Sequence, residues 1–180
     1  MSKTAVLFIA VLLLISAAIG STVAYLITST EPVENTFTPG KVSCEVTETF
    51  DGTTKSNVQI KNTGNTDAYI RATYVVNWLD KDGNIVASVP DGYSRSLTEN
   101  PDSAWIKGSD GYFYYPSPVA PNGSTDGSLL TCTVEYPANP EYTLSVEILA
   151  TAVQSNPASA VTGVWPVTVS DGKISPKSDN

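Results

Sequence analysis

The sequence predicts an all-β fold, with antiparallel strands in a two-sheet sandwich behind an N-terminal apolar helix. Three observations predict it. From Val42 to Val153 apolar residues recur at every second position. Gly, Asn, Asp and Pro cluster between these runs. No stretch of helical periodicity competes with them. Half-buried alternation punctuated by turn residues is the pattern of antiparallel sheets packed face to face.

The N-terminal segment is different in kind. Lys3 precedes an apolar run, Ala5–Ile15, which thins into Ser16, Ala17, Ala18, Gly20 and Ser21. A charged start, an apolar stretch and small residues are the three parts of an export signal. Thr22 and Ala24 supply small residues at peptidase spacing, so cleavage is expected between Ala24 and Tyr25. Ala5–Ile27 is also long enough to remain as an uncleaved anchor, because a bilayer needs roughly 20 apolar residues. In both cases the domain is exported, to an extracellular matrix or the cell surface. Only this segment is expected to meet a membrane.

The strands follow in order. Val42, Cys44 and Val46 alternate with Ser43, Glu45 and Thr47, and Asp51-Gly52 is a turn. Val58 and Ile60 alternate with Gln59 and Lys61, and Asn62-Thr63-Gly64-Asn65 turns again, with Gly and Asn where positive φ is cheap. Ile70, Ala72, Tyr74, Val76 and Trp78 then share one face of a long strand. Asp80-Lys81-Asp82-Gly83-Asn84 reads as a hairpin into Ile85 and Val86. Tyr112–Tyr115 is a short aromatic strand ended by Pro116, Pro118 and Pro121. Leu130, Cys132, Val134 and Tyr136 line another strand, and Leu144, Val146, Ile148, Ala150 and Ala152 the last strong one. A single helical turn is expected near Pro157–Thr162 and a final strand at Val167–Val169. The tail from 171 to 180 reads as disordered.

Composition bounds the function. The 180 residues leave about 150 after signal removal, the usual size of one domain. The net charge of −8 argues against nucleic acid as a partner, which rewards clustered Lys and Arg. There is no histidine, so neither an HExxH zinc site nor a Ser-His-Asp arrangement can be built. The expectation is a protein that is not an enzyme and takes no cofactor. Asp80, Asp82 and Asn84 have the spacing that begins an EF-hand loop, but the distal Glu is missing, and a plain hairpin turn is the simpler reading.

Cys44 and Cys132 both fall on the apolar faces of their strands. Two cysteines in an exported chain make one candidate disulfide, with two buried free thiols as the alternative. Trp105, Tyr112 and Tyr114 form a candidate interface, because alternation exposes one half of an aromatic strand and tyrosine is enriched at contacts. Core packing is the competing use of the same rings.

At Ile19–Leu26, then Val33-Glu-Asn-Thr-Phe-Thr-Pro-Gly40, then Lys61-Asn-Thr-Gly-Asn-Thr-Asp-Ala-Tyr-Ile-Arg71, the chain resembles a bacterial family. It is similar to the proteins exported with a SipW-type signal peptide, which include the TasA and CalY (camelysin) biofilm-fibre subunits. The nearest likeness is to clostridial-type members of unassigned role. The resemblance implies a sandwich of jelly-roll or immunoglobulin-like kind, a place at the cell surface, and self-association into a homopolymer or contact with other surface proteins. It also implies that the segment 25–40 lends a strand to a neighbouring subunit. Tyr25, Leu26, Ile27, Val33 and Phe37 are the candidate donor side chains, and Pro32 interrupts their hydrogen-bonding ladder. A flexible spacer, or the sandwich's own first strand, is the plainer use of the segment. The expected organisation is a signal or anchor (1–24, or to 27), the extension, a sandwich domain (41–170) and the tail. A monomeric, membrane-anchored binding module is the alternative to a fibre subunit.

Overall fold

The period-two runs become strands, and the turn residues between them set the connections. The structure, a computed structural model, describes residues 40–178. The signal, the Ala24–Tyr25 cleavage position and the donor residues Tyr25, Leu26, Ile27, Val33 and Phe37 lie outside the described residues.

Strand β1 (Cys44–Phe50) folds back into β2 (Thr54–Asn62) at Asp51-Gly52. Gly52 takes φ 102°, and Asp51 Oδ1 accepts the N–H groups of Thr53 at 2.9 Å and Thr54 at 2.6 Å. These backbone donors, Thr53 first, hold the Asp51 carboxyl below its usual range. The chain continues through β3 (Ala68–Leu79), β4 (Ile85–Val86), β5 (Ser94–Glu99), β6 (Ile106–Lys107) and β7 (Phe113–Tyr114). It closes with β8 (Leu130–Glu135), β9 (Thr143–Gln154), the short helix α1 (Ala158–Thr162), β10 (Val167–Ser170) and β11 (Lys173–Pro176).

Every pairing among the described residues is antiparallel. One sheet has the order β1-β2-β8-β5. In the second, β3 pairs along its whole length with β9 on one side. On its other side it meets β7 near its start and β4 near its end, and β6 lies beyond β7. Val58, Ile60, Leu130 and Cys132 from the first sheet share a core with Ile70, Ala72 and Phe113 from the second, so the arrangement is sandwich-like. The inward faces of β3, β8 and β9 are those the alternation predicts.

Where β8 does not reach, side-chain hydroxyls complete the β2 ladder. Ser128 Oγ accepts the Val58 N–H and Thr125 Oγ1 accepts the Ile60 N–H, both at 3.0 Å. Both hydroxyls are buried, so they answer donors that would otherwise be orphaned.

Two expectations are corrected. The tail is not disordered throughout, because β11 pairs with β10 across Asp171-Gly172, whose φ values of 51° and 72° suit a two-residue hairpin. Ile174 anchors β11 with no exposed surface. It joins Tyr69, Tyr114, Val161, Trp165 and Val167 in a second core that covers the outer face of the β3 sheet at one end. The domain therefore runs past residue 170.

The second correction concerns the cysteines, which are free. Both lie in the same sheet, on β1 and β8, with β2 between them. Cys44 is opposite Asn62 of β2 and Cys132 is opposite Lys55, seven positions away along the strand. At about 3.3 Å per residue that is roughly 20 Å, far beyond disulfide reach. Facing inward is necessary for an inter-sheet bond but says nothing about position along the strand. Burial pushes both thiols above the usual cysteine value.

Candidate interaction edge

The aromatic candidates do not form a surface. Trp105 is 3% exposed and Tyr114 is fully buried. Trp105 packs edge-on to Tyr115 in the main core, and Tyr114 packs against Trp165 in the second. Tyr112 is half-buried beneath the Arg71 guanidinium, 4.0 Å from its ring centre, and Trp165 lies 5.0 Å from the same group. Asp110 completes this cluster, 3.7 Å from Arg71 and accepting the Tyr114 hydroxyl at 2.6 Å. Alternation puts Tyr112 and Tyr114 on the same outer face and Phe113 on the inner one, but the outer face is covered by the C-terminal hairpin, so an outward residue is not an exposed one. The Asp80 carboxylate serves its own turn, where Oδ1 accepts the N–H groups of Asp82 at 2.9 Å and Asn84 at 2.8 Å. Among the described residues no three His, Cys, Asp or Glu side chains converge on a metal position.

The open feature is an edge. β9 is twelve residues long, and among the described residues it pairs with β3 alone. Four observations give the direction of its backbone groups. The Val146 carbonyl accepts from Lys55 Nζ at 2.9 Å, and the Leu144 N–H donates to the Tyr136 hydroxyl at 3.2 Å. On β3 the Ile70 carbonyl accepts from Tyr115, and Asp67 accepts from Ser155. Odd-numbered residues of β9 therefore bond to β3, and even-numbered ones direct N–H and C=O away from it. Among the described residues, the backbone groups of Ile148, Ala150 and Ala152 on that side have no partner.

Usual edge protection is sparse here. β9 carries no Lys and no Pro, and its register with β3 runs unbroken from Ala68–Gln154 to Leu79–Thr143. Glu147 is its one charge. β1, the edge of the other sheet, lies alongside β9 across the mouth of the sandwich without a ladder between them. Lys55 bridges this mouth, bonded to Glu48 at 2.7 Å as well as to Val146. Beneath it lies a cavity of about 270 Å³ lined by Phe50, Cys132, Val134, Tyr136 and Leu144. Phe50 is 60% exposed at the rim, and Leu149 is 52% exposed on the outer face of β9. Among the described residues nothing pairs with the stretch Ile148–Ala152, past the lysine, on the side away from β3, which leaves it open to a further strand. Sequence patterning could not find it, because pairing partners are not written into a strand's own residues.

These features define an antiparallel all-β protein, sandwich-like, with a long strand edge that no other described residue covers. Neither models of known families, nor curated proteins, nor solved structures match the chain.

Proposed function

We propose that this chain is an exported structural protein of the bacterial cell surface or extracellular matrix that self-associates by strand donation. The acceptor is the free edge of β9, and the donor is the 25–37 segment of another copy, through Tyr25, Leu26, Ile27, Val33 and Phe37. The observation that carries the reading is the row of backbone groups at Ile148, Ala150 and Ala152 that have no partner among the described residues. Such a row is a template for an added strand, whose main-chain hydrogen bonds supply affinity. The resemblance to SipW-type exported fibre subunits supports the same reading, as does the absence of histidine from the sequence. The finer assignment of the sandwich to a jelly-roll or immunoglobulin-like kind belongs to this proposal, and so does binding rather than turnover as its activity.

Electron microscopy of the purified protein tests it. Filaments are expected from the native chain. They should be lost on deletion of 25–37 and on Ala150→Pro, which removes an edge-facing N–H without touching the β3 ladder. Filaments formed equally well by both variants would refute strand donation to β9. A monomeric protein retaining Met1 by mass spectrometry would favour the membrane-anchored binding module.

A further inference from the structure

The second mouth of the sandwich lies between β5 and the β3–β4 side of the other sheet, and it is built differently from the first. Among the described residues, strand β5 is the edge of its sheet and pairs with β8 alone. On β5, Leu97 packs on the core and Glu99 accepts the Tyr74 hydroxyl from the opposite sheet. Arg95 shares their parity, so it too is directed between the sheets. It borders two adjoining hollows. One, of about 490 Å³, is lined by Tyr74, Val76 and Leu97. The other, of about 480 Å³, has Trp78, Val86 and Val89 among its walls. Val76 and Arg95 belong to both.

Arg95 is one of five described cations, with Lys41, Lys81, Lys173 and Lys177, that have no ion pair, and its exposed side chain is the one of the five that borders these hollows. Lys55, Lys61, Arg71 and Lys107 each sit within ion-pair distance of a carboxylate. Arg95 makes no ion pair or hydrogen bond with the described residues, although the chain holds 18 carboxylates to 10 cations. Glu99, the nearest candidate on its own strand, is already taken by Lys107 at 2.6 Å and by Tyr74. Among the described residues lining the two hollows Arg95 is the one formal charge, because Tyr74 keeps its proton.

We infer that this groove is a binding site for a carboxylate carried on an apolar or aromatic body. The Arg95 guanidinium would grip the carboxylate with its planar fork, and the Tyr74–Val76–Leu97 or Trp78–Val86–Val89 wall would take the body. The carboxylate belongs either to a small free acid or to the C-terminus of a peptide.

Ligand-observed NMR titration of the full chain separates these. The probes are 3-phenylpropionate, its amide, and the peptide N-acetyl-Ala-Ala-Phe with a free C-terminus. At least one acid should bind, and about tenfold or more tighter than the amide, the difference expected for a charge-assisted bond. Arg95→Gln should weaken that acid by a similar factor, whereas Lys81→Gln, an exposed cation in the β3–β4 turn, should leave it unchanged. Binding of only the free acid, or only the peptide, identifies the source and supports the site in either case. No binding at millimolar concentration, equal binding of acid and amide, or equal loss in both variants would overturn it. Arg95→Gln that leaves binding intact but makes the protein aggregate would assign Arg95 to protecting the β5 edge instead.

Discussion

Replacing Asn62 with alanine should cost about 3–5 kcal/mol of folding stability, more than any surface substitution in this domain. Asn62 has no exposed surface. Its Nδ2 donates to the carbonyls of Thr66 and Val119, both at 2.8 Å, and its Oδ1 accepts the Gly64 N–H at 2.9 Å. One side chain thus ties the β2–β3 turn to the loop beneath it. Alanine removes all three bonds. The Val119 carbonyl keeps the Ala68 N–H at 3.0 Å, so its loss is one ordinary bond, roughly 1 kcal/mol. The Gly64 N–H is buried and left with no partner among the described residues, a penalty of roughly 1–3 kcal/mol. The half-buried Thr66 carbonyl adds about 1 kcal/mol. Urea unfolding followed by tryptophan fluorescence measures the sum, with Asn139→Ala on the exposed β8–β9 loop as a control near zero. An Asn62→Ala variant within 1 kcal/mol of the parent at unchanged m-value would refute this account of the turn.

Other outcomes follow from the same geometry. Burial, then the Glu99 bond, push the Tyr74 hydroxyl up to about 12, so absorbance titration should show one tyrosine ionising near there and shifting down in Glu99→Gln. Because the folded value is raised, this contribution to stability is present below the ordinary tyrosine value of 10.0 and is lost as pH rises through about 12. Glu99 runs the other way. Lys107, then Tyr74, lower its pKa, so its contribution is present above 4.5 and is lost as pH falls through the lowered value, a loss that Glu99→Gln should abolish. Thiol titration of protein denatured without reductant should count two free cysteines, and a single intramolecular bond would contradict the register that separates Cys44 from Cys132. Thr151→Pro removes an N–H that bonds to β3 and should destabilise by about 3 kcal/mol or more, against a much smaller loss for Ala150→Pro. Equal losses by urea unfolding would show that the edge parity is wrong.

What could be read from the sequence was local. β3, β8 and β9 announce themselves because each buries one face, so every second residue is apolar. β5 stayed hidden because its inward positions are Arg95, Leu97 and Glu99, a polar pattern set by tertiary contacts with Tyr74 and Lys107. β11 stayed hidden because Ile174 alone is buried in a strand otherwise of Lys, Ser and Pro. The Lys61–Arg71 segment stood out in the sequence, and its physical reason is visible only in three dimensions. Asn62 is the buried tie, and a Cβ on Gly64 would lie 2.3 Å from the Lys41 carbonyl. Alternation also told which face Cys44, Cys132 and Tyr114 take. It could not tell how far along the sheet each one sits, or that a C-terminal hairpin covers the outer face. That no described strand pairs with the far edge of β9 is a property of strand order, which no single segment encodes.

Hydrogen exchange on monomer and filament tests the central claim most directly. The amides of Ile148, Ala150 and Ala152 should exchange quickly in the monomer and become strongly protected in the filament, while Thr151, already bonded to β3, stays protected in both. If those three amides exchange as fast in the filament as in the monomer, subunits do not join through β9.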